Sequence, residues 1–393
     1  MSLMVNNYKK SFNIFLLASL IITGVVLIII FNTILLTNNS IQNIEIELDF
    51  NEENAYIFVK NQTEDIGNRI PGTPEHQESI NYFISEFQKI DSNVSYYFHN
   101  FTLDPTYINP INCSNLLFKL NEGYDNIVIL GAHYDSRARA TKDPINQTAP
   151  VPGANDGASG CAVLLELARV FYNKRINLTC EIWFLFFDAE DQGRDISWSI
   201  PGWGWCEGSN RFVDNIDNFY NSSSEYFECM ILLDMVGGTN LRFINEQYST
   251  STLLNELFQV GRQLGYTTAF PSSPVSQPII DDHQPFVEYG IPSADLIINF
   301  WSDSNWPYHH TTSDDLSHIS NTSLMITGRT VEQFIYNIFF NSSEYNYQGN
   351  YPWNLDTVFI DYNLYFQIGI IFIFIVCPII IFVMKYLPSQ TKT

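Results

Sequence analysis

NIVILGAHYDS, residues 126–136, decides how this chain folds. Ile127, Val128, Ile129 and Leu130 form an unbroken apolar run, too short for a helix and without polar alternation, so it reads as a strand buried on both faces. Gly131 follows, and then His133 and Asp135. Downstream, GCAVLLELARVFY at Gly160–Tyr172 carries helical periodicity, and CEIWFLFF at Cys180–Phe187 is a second, longer apolar strand. Further strands are predicted over Tyr226–Leu233 and Ser293–Asn299, and helices over Pro74–Ile90, Leu253–Leu264 and Thr322–Phe340. Strands alternating with helices predict an α/β sandwich with a largely parallel sheet.

Acids and histidines recur just past the predicted strands. His133 and Asp135 follow NIVIL, and Asp156 lies in PGANDGASG before a helix. DAED supplies Asp188, Glu190 and Asp191 after CEIWFLFF, Asp234 follows MILL, and His309 and His310 follow ADLIINF. In open α/β sheets the carboxyl edge of the strands is where ligands bind. Carboxylates gathered there without a cation would repel one another and raise each other's pKa. A divalent ion removes that cost, and imidazole with carboxylate is the donor set of catalytic zinc. Glu190 and Asp191 are adjacent, so one can bind metal while the other serves as base.

The chain's 19 basic and 42 acidic residues give a net charge of −23. That excludes a basic surface for nucleic acid. Ile14–Leu36 and Leu364–Met384 are apolar runs long enough to span a bilayer. Lys9 and Lys10 precede the first and Lys385 follows the second, whereas the facing flanks are acidic. The positive-inside tendency then predicts a protein with two membrane spans, both termini in the cytoplasm and the intervening domain extracellular or lumenal. Ten Asn-x-Ser/Thr sequons, from Asn38 to Asn341, all lie between the two runs. The six cysteines contain no CxxC pair and imply neither a disulfide framework nor a thiolate metal site. The expected organisation is a tail at 1–13, a span at 14–36, a stalk and first helix at 37–60, a catalytic domain at 61–345, a linker at 346–363, a span at 364–384 and a tail at 385–393.

From GNRIPGTPEH (67–76) to the helix ending near Phe340, the order GAHYDS, GANDGASG, DAED, LLDMVG, HHTTSDD resembles the zinc aminopeptidase and glutaminyl cyclase superfamily. The resemblance implies one three-layer α/β/α domain with a mixed, largely parallel sheet. It implies Asp156, Asp191 and His310 as zinc ligands and Glu190 as general base. His133 and Asp234 would complete a second metal position in the two-zinc aminopeptidases. FFDAEDQG (186–193), WCEGS (205–209) and DDHQPF (281–286) look closer to bacterial glutaminyl cyclases, which typically use one zinc and keep the matches of Asp234 and Asp281 as a hydrogen-bonded network beside the base. Three departures stand out: Asp191 where many relatives have Glu, His309 where animal cyclases have Trp, and Ala132 where their partner for Cys161 would be. Trp198, Trp203 and Trp205 offer aromatic replacements.

The activity this implies is conversion of an N-terminal Gln on a peptide or protein to pyroglutamate with release of ammonia. Hydrolytic removal of N-terminal residues is the alternative, and a non-catalytic membrane receptor domain is the third reading.

Overall fold

In a computed structural model, residues 46–104, 109–301 and 305–341 are described, and both apolar runs lie outside them. No helix of the described residues is long and apolar enough to cross a membrane.

The helices are α1 (Glu52–Lys60), α2 (Pro74–Ile90), α3 (Ala158–Asn173), α4 (Glu207–Asp214), α5 (Ser251–Gln263), α6 (Gln284–Tyr289) and α7 (Asn321–Phe339). The strands are β1 (Ser95–Leu103), β2 (Ile111–Leu120), β3 (Asn126–His133), β4 (Glu181–Phe187), β5 (Tyr226–Asp234), the two-residue β6 (Asn245–Glu246) and β7 (Ser276–Gln277), and β8 (Ser293–Ile297). The six-stranded main sheet runs β1-β2-β4-β3-β5-β8. Its β4, β3, β5 and β8 are parallel, while β1 and β2 join as an antiparallel pair on one edge. The sheet is therefore mixed and mostly parallel.

The long apolar strand shows why both faces are covered. On β4, Ile182, Phe184 and Phe186 point into the core shared with α1, α2, α3, α5 and α7. Trp183, Leu185 and Phe187 alternate to the opposite face, where Phe212 of α4 and Phe286 of α6 meet them. Each such buried aromatic contributes on the order of 1.5–3 kcal/mol by leaving water. Strands β1 and β2 are absent from the predictions above. The edge strand β1 is largely solvated, and Asn112, Ser114, Asn115 and Lys119 break the apolar pattern of β2.

Helix α1 is built into this core through Ala55 and Val59. The chain comes in and leaves at the same place, the foot of the sheet. Lys174 Nζ binds Asp49 Oδ2 at 2.8 Å, and Asn341 N donates to Asn177 O at 2.8 Å.

Candidate metal and catalytic centre

Glycines let the ligand-bearing segments close up. A Cβ on Gly157 would strike the His133 carbonyl, and one on Gly160 would strike the Leu233 carbonyl. The start of α3 is thereby pressed onto the ends of β3 and β5, beside Asp156. Asp314 holds the turn before the helix, accepting from Asn155 N at 2.8 Å and Asp156 N at 3.2 Å. Left-handed backbone recurs around the site at Ala189, Cys206, Met235 and His310. For non-glycine residues such conformations are strained and concentrate at functional sites.

Asp156 is the centre of the arrangement. Its Oδ1 lies 3.1 Å from His133 Nε2, which lies 3.2 Å from Asp234 Oδ1. Its Oδ2 lies 3.9 Å from His310 Nε2, which lies 3.0 Å from Asp191 Oδ1. One carboxylate is thus shared by two His/Asp sets. Asp191 Oδ2 is buried without a hydrogen-bond partner. Buried carboxylate oxygens are ordinarily paired, so this orphan, among imidazoles and carboxylates, fits a divalent cation. The residues predicted as ligands therefore suit zinc as a set.

Other side chains hold these candidate ligands. Asp195 Oδ2 meets His310 Nδ1 at 2.6 Å. Arg137 donates to Asp191 O at 2.7 Å and Asp191 Oδ1 at 3.0 Å. Asp135 accepts from Glu190 N and Asp191 N, which fixes the DAED turn. Asp188 turns away from the site, toward Ser114 N and His76 Nε2. His309 accepts from Lys142 Nζ at 2.7 Å through Nδ1, and its Nε2 lies 4.0 Å from Asp156 Oδ2. Burial, then the charges of His310, Lys142 and Arg137, push His309 well below the usual histidine range, so it stands neutral in the pocket wall.

Glu190 is buried, with the Cys206 thiol donating to its Oε1 at 3.3 Å. Glu190, Cys206 and Asp281 bring ligating atoms within 4.8 Å of one another. Burial first, and then Asp191, Asp281 and Asp282 against the opposing charge of His133, lift the Glu190 carboxyl well above its ordinary value. Burial likewise pushes Asp234 up to about 6 and Asp281 up to about 8. Burial would also raise Asp156, but His133 and His310 outweigh it and hold that carboxyl low. Carboxyls whose environments drive their pKa values apart are the pattern of acid–base sites.

These groups line a cavity of about 280 Å³ with an apolar mouth of Ile280, Phe300 and Trp301. Trp205 forms one wall, stacked on His310 with ring centroids 5.7 Å apart. Trp203 packs instead into a small core with Leu103 and Ile200, and Trp198 lies against Arg194. Sequence reasoning missed Asp195, Arg137 and Asp314 as supports. Only Asp314 carried a signal, in HHTTSDD, where it had no assigned role.

The model of peptidase family M28 matches residues 115–335, more than half the chain. The chain belongs to peptidase family M28. The Bacteroides thetaiotaomicron glutaminyl cyclase structure is 30% identical with a TM-score of 0.67, covering 74% of this chain and 99% of that one. A Zn-dependent exopeptidase from Parabacteroides distasonis is 31% identical at the same TM-score and coverage. Aminopeptidase YwaD of Bacillus subtilis is 33% identical over 223 residues, which is 55% of this chain but only 42% of that protein's length. M28 membership and these neighbours make the chain a zinc-dependent enzyme of this superfamily.

Proposed function

We propose that this M28 enzyme is a glutaminyl-peptide cyclotransferase, anchored in a membrane by residues 14–36 and 364–384 with its pocket on the extracytoplasmic side. The observation that carries the reading is the buried group of Glu190, Cys206 and Asp281 beside the Asp156-centred donors. Cyclisation needs a base that takes a proton and gives it back within one closed pocket. The glutaminyl cyclases among the structural neighbours support the same choice.

Asp156, Asp191 and His310 hold zinc in this reading, with His133 as a further ligand. Bound zinc would polarise the side-chain amide of the substrate as a Lewis acid. Glu190 accepts a proton from the α-amine as its nitrogen bonds to the amide carbon. The bond from that carbon to the amide nitrogen breaks, and Glu190 returns the proton to the departing ammonia. Asp234 and Asp281 keep a proton-rich network beside it, since both are driven toward the neutral form. Trp205 and the apolar mouth hold the folded substrate conformer.

One observation favours a second reading. His133, Asp156 and Asp234 also bring ligating atoms within 4.8 Å of one another, a donor set for a second ion, as in a two-metal aminopeptidase. Incubation of the purified protein with Gln-initiated peptides separates the two. Pyroglutamyl peptide and ammonia are expected, and release of free Gln would transfer the assignment to peptidase activity. Carbonate extraction with protease protection tests the anchoring. A protein freed by carbonate, or digested from the cytoplasmic side, would overturn it.

A further inference from the structure

Strand β1 is the outer strand of the main sheet, and its sequence SYYFHNFTL contains one of the Asn-x-Ser/Thr sequons, Asn100-Phe101-Thr102. Successive strand residues point to opposite faces, so Tyr96, Phe98, Asn100 and Thr102 share one face. The contacts agree. The rings of Tyr96 and Phe98 meet with centroids 5.8 Å apart, whereas His99 turns to the other face, toward Phe212 and Phe219. Asn100 is exposed, and so is Phe98, at 42%. The Asn100 side chain is held through its oxygen, which accepts from Ser114 Oγ at 2.8 Å. Its Nδ2, the nitrogen that carries an N-linked sugar, has no hydrogen-bond partner among the described residues. The sequon at Asn321 differs, because there Nδ2 donates to Glu53 Oε1 at 2.8 Å.

We propose that Asn100 is an N-glycosylation site, with Phe98 as the platform for its first sugar. On a strand, the side chain two residues back lies on the same face as the asparagine. The C–H face of a pyranose is apolar and slightly positive, which matches the negative face of an aromatic ring. The modification bonds Asn100 Nδ2 to the anomeric carbon of an oligosaccharide carried on a lipid pyrophosphate. The bond from that carbon to the phosphate oxygen breaks, the pyrophosphate leaves with the electron pair, and Nδ2 releases one proton. An edge strand with exposed aromatic side chains is a template for pairing with another chain, and a bulky, solubilising group on it blocks that pairing. The site rests on the extracytoplasmic placement proposed above and is independent of which reaction Glu190 serves.

The test is electron-transfer mass spectrometry of peptide 90–119 from the full-length protein, purified from its own membranes. Oligosaccharide on Asn100 is expected, and Thr102→Ala is expected to abolish it. Unmodified Asn100 overturns the proposal, and protease protection on the same membranes separates the causes. A domain digested from the cytoplasmic side takes the placement down as well, whereas a protected domain with bare Asn100 removes this site alone. A double-mutant cycle in melting temperature reads the platform. Asn100→Gln is expected to lower the melting temperature more in the wild type than in Phe98→Ala. Equal losses in the two backgrounds would overturn the role of Phe98.

Discussion

Asp195→Asn isolates the charge behind His310. The carboxamide keeps the size of the side chain and an oxygen facing His310 Nδ1, which now lies 2.6 Å from a carboxylate. What is lost is the anion. Burial raises the Asp195 carboxyl, but its bond to His310 and the charges of His310 and Arg137 outweigh this and hold it well below the usual range. The group is therefore ionised in the folded protein, and it stabilises His310 with its proton on Nδ1 and its lone pair on Nε2. Loss of such a supporting carboxylate typically weakens metal binding by about 10- to 100-fold, which is ~1.4–2.7 kcal/mol. The upper half of that range is expected here. Lys142, 3.9 Å away, would lose its ion-pair partner, and Arg137, 3.4 Å away, would keep only Asp191. Competition against a fluorescent zinc chelator measures the change, while turnover at saturating zinc should fall less. A zinc affinity within twofold of the wild type would refute the role given to Asp195.

Glu190→Gln should lower kcat on Gln-peptides by at least about 100-fold with zinc content unchanged; unchanged turnover would remove Glu190 as the base. Chelation should abolish turnover and added zinc restore it, followed as ammonia release. His76 is held by Asp188 at 2.8 Å. Burial lowers its pKa, but the Asp188 charge and hydrogen bond outweigh this and leave it raised. Its stabilisation is complete below about pH 6.5, the unfolded value, and is lost as pH rises through the folded value. The melting-temperature gap between wild type and His76→Gln should therefore shrink on going alkaline; a gap that widens would reverse the sign. Gly160→Ala should cost ~1–3 kcal/mol by overpacking, because its Cβ would meet the Leu233 carbonyl and Ala132; urea denaturation checks it.

The central strands were legible because burial on both sheet faces writes itself as uninterrupted apolar residues, as in Ile127–Leu130 and Ile182–Phe187. The edge was not. Strand β1 alternates with exposed positions such as Tyr96 and Phe98, and its pairing with β2 is set by the fold rather than by local pattern. The candidate donors were legible for a topological reason, since His133, Asp156, Asp191 and Asp234 stand where a parallel strand ends or α3 begins, and His310 lies in the loop that follows β8. Their supports were not, because Asp195 reaches His310 across 115 residues and Asp314 reaches Asn155 across 159. Nothing local in an Asp within an insertion announces such a partner.

Both ends of the described domain meet the chain around Lys174–Leu178, just before β4 begins. The acids and histidines sit where the same strands finish. The fold therefore behaves as a plug with its two leads on the underside. Any host sequence joined to residue 46 or 341 starts at the pole away from the pocket mouth. Such a module can be inserted, fused or lengthened at either lead without threading new chain past the substrate opening.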